Sequence, residues 1–107
     1  PESPPVVNVL MSSPNQKAII MESLMSAMPL MTISSDNIEL QDHDVLLCDP
    51  ESLKDRMFLG KPMPGQVFLF LNKPTEIIPF KDINPRSLIA PFSYYRITKE
   101  ILSRLLL

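Results

Sequence analysis

The sequence predicts a doubly wound α/β fold: a five-stranded, mostly parallel sheet with helices on its faces. Three observations predict it. Short apolar, β-rich runs alternate with capped or amphipathic helical stretches along the chain. The run GQVFLFLN (65–72) is apolar without alternation, as a strand buried on both faces requires. The chain has 107 residues, 45% apolar and 21% charged, which suffices for one core and not for two.

The opening PESPP (1–5) is polar and proline-rich and reads as the end of a linker, so the domain is expected over 6–107. VVNVLM (6–11) reads as the first strand. Ser13, Pro14 and Gln16 then form an N-cap, a first-turn proline and an S-x-x-Q capping box. The helix they start runs to about Met28, where Pro29 ends it. Met21, Leu24, Met25 and Met28 follow the i, i+3, i+4, i+7 spacing of a stripe that faces a core. LMTIS (30–34) and DVLLCD (44–49) read as the second and third strands. The roughly nine residues between them are too few for a full crossover helix.

ESLKDRMFLG (51–60) is a helix closed by Gly60, and 65–72 is the fourth strand. KPTEIIPFKDINPR (73–86) holds three prolines, spaced so that no regular helix is expected. SLIAPF (87–92) reads as the fifth strand. RITKEILSRLLL (96–107) is a helix with Ile97, Ile101, Leu102 and Leu105 on its apolar face, and Glu100 and Arg104 at pairing distance. The helices after the second and fourth strands are thus shortened or lost.

Bulk properties narrow the function. The longest apolar runs are too short to cross a bilayer and no secretory signal pattern opens the chain, so no direct membrane contact is expected. The lone cysteine, Cys48, fits a reducing compartment, and a cytoplasmic module of a larger protein is expected, one that an inner-membrane sensor could carry. Only Gly60 and Gly65 occur, which excludes Gly-rich nucleotide loops. His43, the single histidine, has no metal or dyad set around it, so no metal and no cofactor are expected. A net charge of −2 argues against nucleic-acid binding. Its distribution is uneven. Residues 1–53 carry eight acids against Lys17, or −7, and residues 54–107 carry nine bases against four acids, or +5.

Doubly wound sheets gather functional groups at the carboxyl ends of their strands. Ser12 and Ser13 follow the first strand here, Asp49 closes the third, Asn72 the fourth and Ala90-Pro91 the fifth. Two stretches, DVLLCDP and IAPFSYYRITKEILSRLL, together with this run of elements, resemble the receiver domain of two-component signalling over residues 6–107. The resemblance implies strand order 2-1-3-4-5. It also implies a phospho-accepting aspartate at Asp49, an acid pair after the first strand for Mg²⁺, a hydroxyl after the fourth and a lysine after the fifth. The matching positions hold Ser12 and Ser13, Asn72, and Ala90. Only Asp49 remains, so a phosphoryl group would meet none of the electrostatic support its transfer needs. Asp44 lies about 16 Å from Asp49 at 3.3 Å per residue and cannot stand in.

The abbreviated connections, the I-I-P loop (Ile77-Ile78-Pro79) and Ala-Pro in place of Lys-Pro are similar to a particular subgroup. These are the degenerate, receiver-like α/β/loop modules of hybrid sensor histidine kinases of the Rcs phosphorelay type. That resemblance implies a non-catalytic pseudo-receiver, not itself an enzyme, which docks on other domains of a parent kinase or on a signalling partner protein. The surface expected to dock comprises Ile78, Phe80, Phe92, Tyr94 and Tyr95, with the last helix. Asp49 is then vestigial and caps the following helix. The alternatives are a receiver that still accepts a phosphoryl group on Asp49, or a pseudo-receiver that binds a small anion at Ser12, Ser13, Asn72 and a helix N-terminus.

Overall fold

A computed structural model describes residues 5–27, 29–36 and 38–105. The strands are β1 (Val6–Leu10), β2 (Thr32–Ser34), β3 (Val45–Cys48), β4 (Gln66–Leu71) and β5 (Arg86–Ile89). They form one five-stranded sheet in the order β2-β1-β3-β4-β5, with every neighbouring pair parallel. The helices are α1 (Pro14–Ala27), α2 (Pro50–Phe58) and α3 (Tyr94–Leu105), with a 3-10 helix over Pro74–Phe80. The fold class and the receiver-like strand order expected from the sequence are therefore present.

The pleat divides each strand between two cores, because successive side chains point to opposite faces. Val7, Val9, Val45, Leu47, Phe68 and Phe70 pack on one face against Ile20 and Leu24 of α1 and Ile97 and Ile101 of α3. Leu46, Cys48, Val67, Leu69 and Leu71 pack on the other against Leu53 of α2, Phe80 and Leu40. β3 is buried along its whole length and β4 from Val67 onward, which explains why their sequences show no polar alternation. Each fully buried aliphatic or aromatic side chain contributes about 1.5–3 kcal/mol of transfer free energy.

Local signals explain most boundaries. Ser13 Oγ accepts from Gln16 N at 3.3 Å and Ser13 O from Lys17 N at 3.0 Å, so α1 starts where its capping box lies. Gly60 takes a left-handed backbone with φ of 69°, the conformation that ends a helix most cheaply when no Cβ is present. Ser93 starts α3, its carbonyl accepting from Ile97 N at 3.0 Å, two residues earlier than the sequence predicts.

Several expectations are corrected. The buried stripe of α1 is Ile20 and Leu24; Met21 is half-buried and Met25 is 52% exposed, while Met28 lies outside the described residues. Glu100 accepts from Arg86 Nε across to β5 rather than pairing with Arg104. β5 spans Arg86–Ile89 and stops short of the expected Phe92; it is an edge strand and its residues are largely exposed. The prolines of 73–86 do not abolish helical structure. Pro74 sits in the first turn, where its missing N–H is not needed, and the tighter 3-10 turn absorbs Pro79. The side chain of Leu105 also lies outside the described residues.

The described residues of 35–44 hold no helix and are held by side chains instead. Arg56, 1% exposed, donates from Nη1 to Ile38 O at 3.1 Å and from Nη2 to Pro62 O at 2.7 Å. Asn8, fully buried in mid-β1, donates from Nδ2 to Asp36 O at 2.6 Å.

Candidate functional site

The carboxyl ends of β1, β3 and β4 surround a cleft of about 280 Å³. Its lining includes Ser12, Ser13, Asp49, Glu51, Asn72 and Glu76, with the rings of Phe70 and Phe92 as its apolar wall. The structure therefore brings together Ser12, Ser13, Asn72 and Asp49 as expected. Ala90 is not in the lining. Its N–H donates to Leu71 O at 2.9 Å, extending the β4–β5 ladder, and its peptide bond to Pro91 is cis. Phe92, two residues on, takes that side of the cleft, its ring centroid 5.3 Å from that of Phe70 at 60°.

Asp49 answers the question raised by a carboxylate at the end of a buried strand. Its Oδ1 accepts from Ser52 N at 2.9 Å, which makes it the N-cap of α2, and its carbonyl accepts from Leu53 N at 3.0 Å. Its Oδ2 accepts from Ser12 N at 2.8 Å and from the Ser12 hydroxyl. Burial alone would raise its pKa. The donors from Ser12 and Ser52 outweigh that and hold it below the usual aspartate value. One carboxylate thus closes the β1–α1 turn and starts α2 together.

At the other end of β3, Asp44 does the same work. Its Oδ1 accepts from Val6 N at 2.9 Å and its Oδ2 from Gln41 N at 2.7 Å. Two aspartates therefore bracket β1, one taking the N–H of Val6 and one that of Ser12. Cys48, between them, is buried with its Sγ 3.7 Å from Phe68 O, and burial, reinforced by the charge of Asp49, pushes its thiol far up. It is a core residue with no nucleophilic character.

Sequence reasoning missed Glu76 and Glu51 as cleft residues. Glu76 Oε1 accepts from Asn72 N at 2.6 Å and Lys73 N at 2.8 Å, an acid at the third position of a helix start, and the K-P-T-E string carries that signal. With Asp49 these acids make the cleft negative, and among the described residues no Lys or Arg lines it.

The five residues expected to dock do not form one surface. Phe80 is 1% exposed and packs under the 3-10 helix against Leu69 and Leu71, because the 3-10 turn directs it at the sheet. Ile78 is exposed on that same layer. Phe92 and Tyr94 are half-buried against the α1–α3 core on the other layer, and only Tyr95, 71% exposed, stands out there, with Lys99 Nζ 4.9 Å above its ring. Tyr94 and Tyr95 instead border a largely apolar groove of about 500 Å³ between α1 and α3, with Ala27 and Leu102.

Comparison with protein-family models, curated proteins and solved structures gave no match. Among the described residues, no helix is long and apolar enough to cross a membrane.

Proposed function

We propose that this domain is a non-catalytic, receiver-like docking module, acting through contacts with other domains of a signalling protein or with a partner protein. The observation that carries the reading is the commitment of the Asp49 carboxylate. Both of its oxygens serve as structural acceptors for Ser12 and Ser52. Phosphorylation there would release two chain segments and bring a charge of about −1.5 to −2 into a cleft that already holds Glu51 and Glu76. The same like charges disfavour a small anion at Ser12, Ser13 and Asn72. The surface that fits docking is the α1–α3 groove with Tyr95, where amphipathic rings and an apolar floor offer anchor positions.

The test is incubation of the chain with Mg²⁺ and acetyl phosphate, followed by intact-mass measurement at neutral pH. The expected outcome is an unchanged mass in both the wild type and Asp49→Asn. A stoichiometric adduct on the wild type alone would replace the docking reading with phosphoryl acceptance.

A further inference from the structure

A second cavity, of about 120 Å³, opens at the amino-terminal ends of β4 and β5, the edge of the sheet opposite Asp49. Gly65, Gln66, Asn84, Arg86 and Arg104 line it. Arg104 reaches it from the last turn of α3, which returns across the sheet to this edge. The guanidinium of Arg104 makes no hydrogen bond or ion pair among the described residues. Arg86 gives its Nε to Glu100, which offsets one of the two cations and leaves a single positive charge in excess.

Gln66 supplies the second observation: its Oε1 is buried without a partner among the described residues. Native interiors rarely leave such an atom unpaired, and this one belongs to a side chain that lines the cavity. A half-turn of the amide exchanges Oε1 for Nε2, so this buried position can present either an acceptor or a donor. The backbone here is fixed in place. A Cβ at Gly65 would lie 2.5 Å from Asp42 O, to which Gly65 N donates at 2.9 Å.

We propose that this cavity is a carboxylate site. Guanidinium forks match the two oxygens of a planar carboxylate, and a volume of about 120 Å³ takes a group of that size. One excess positive charge suits a monoanion better than a phosphate dianion. The carboxylate is either the end of an aspartate or glutamate side chain of a docked protein or a small free acid. The site is independent of the Asp49 reading and stands whichever way that test falls.

The experiment is titration of the ¹⁵N-labelled chain with acetate, N-acetyl-glutamate α-amide and inorganic phosphate, each against sodium chloride of equal ionic strength. The signals followed are the Nε–H groups of Arg86 and Arg104, the Gln66 side-chain amide and the Gly65 backbone amide. Saturable shifts with either carboxylate, weakened at least about tenfold in Arg104→Gln, are expected. Arg86→Lys, which keeps the charge and loses the fork, weakens them as well. Tighter binding of the blocked glutamate assigns the site to a protein side chain, and tighter binding of acetate to a free acid. Linear shifts matched by sodium chloride, stronger binding of phosphate, or an unchanged titration in Arg104→Gln would each overturn the proposal.

Discussion

Asp49 is the residue on which two turns depend, and its substitutions separate its roles. Asp49→Ala removes a helix cap and strands the N–H groups of Ser12 and Ser52, for an expected loss of about 2–4 kcal/mol in urea denaturation. Ser12→Ala removes only the hydroxyl and should cost about 1 kcal/mol. The pH dependence follows from the lowered folded pKa of Asp49. A carboxyl that ionises more readily in the folded state stabilises fully above its unfolded value, about 3.9, and less as pH falls through its folded value. The stability gap between the wild type and Asp49→Asn should therefore be constant from pH 7 to 5 and narrow below pH 4. Urea midpoints at pH 7, 5, 4 and 3 measure it. The capping role was legible in the sequence, since an Asp-Pro-Glu step before a helical stretch is a local signal. The bond from Ser12, 37 residues away, was not, and neither was Asp44's hold on Val6, because no local pattern encodes either pairing.

Among the elements, the β2–β3 connection, which has no helix among its described residues, has the clearest energetic consequence. Arg56 lies on α2 yet holds the carbonyls of Ile38 and Pro62, tying the 35–44 segment to the turn after α2. Arg56→Met should cost about 2–4 kcal/mol, since two part-buried carbonyls lose charge-assisted donors from a buried guanidinium. Arg56→Lys should recover little of that, because a single ammonium cannot span both carbonyls as a planar fork does. Hydrogen exchange faster at 38–44 and 61–65 than elsewhere is the signature to look for. Composition alone hid this role, as an arginine in ESLKDR reads as a solvated helix residue. The 3-10 helix was hidden for another reason. Proline spacing forbids a continuous α-helix, but a turn with i to i+3 bonds needs fewer N–H groups in line. On α1 the periodicity count placed Leu24 correctly but preferred Met21 and Met25 to Ile20, because methionine and isoleucine are equally apolar to such a count and packing decides between them.

For the whole molecule, strand order converts a feature of the sequence into one of shape. The acidic first half supplies β2, β1 and β3, and the basic second half supplies β4, β5 and α3. The order β2-β1-β3-β4-β5 sets these halves toward opposite edges, so the charge imbalance, −6 and +5 among the described residues, becomes a lateral gradient across the sheet. Such a gradient steers a partner's approach and weakens with added salt. The two cores share one sheet, and this predicts a single cooperative unfolding step. Leu24→Ala on one face and Leu53→Ala on the other should each cost about 2–5 kcal/mol. Their transitions by far-ultraviolet dichroism and tyrosine fluorescence should coincide, and separate transitions would show that the faces unfold independently. Fold class was the most legible property, because short buried strands alternating with helices specify a parallel sheet covered on both faces. The strand order was an expectation from the resemblance alone. The exposure of the five residues expected to dock was the least legible, because which side of a helix faces the sheet is decided only by packing.

The paired aspartates of β3 act as a ruler. Asp44 and Asp49 hold the amides of Val6 and Ser12 while the strands between them run in register from Val7 opposite Val45 to Leu10 opposite Cys48. Inserting or deleting one residue in β1 would release one end or the other, whatever residue were chosen. Side chains along this strand can drift, but its length cannot.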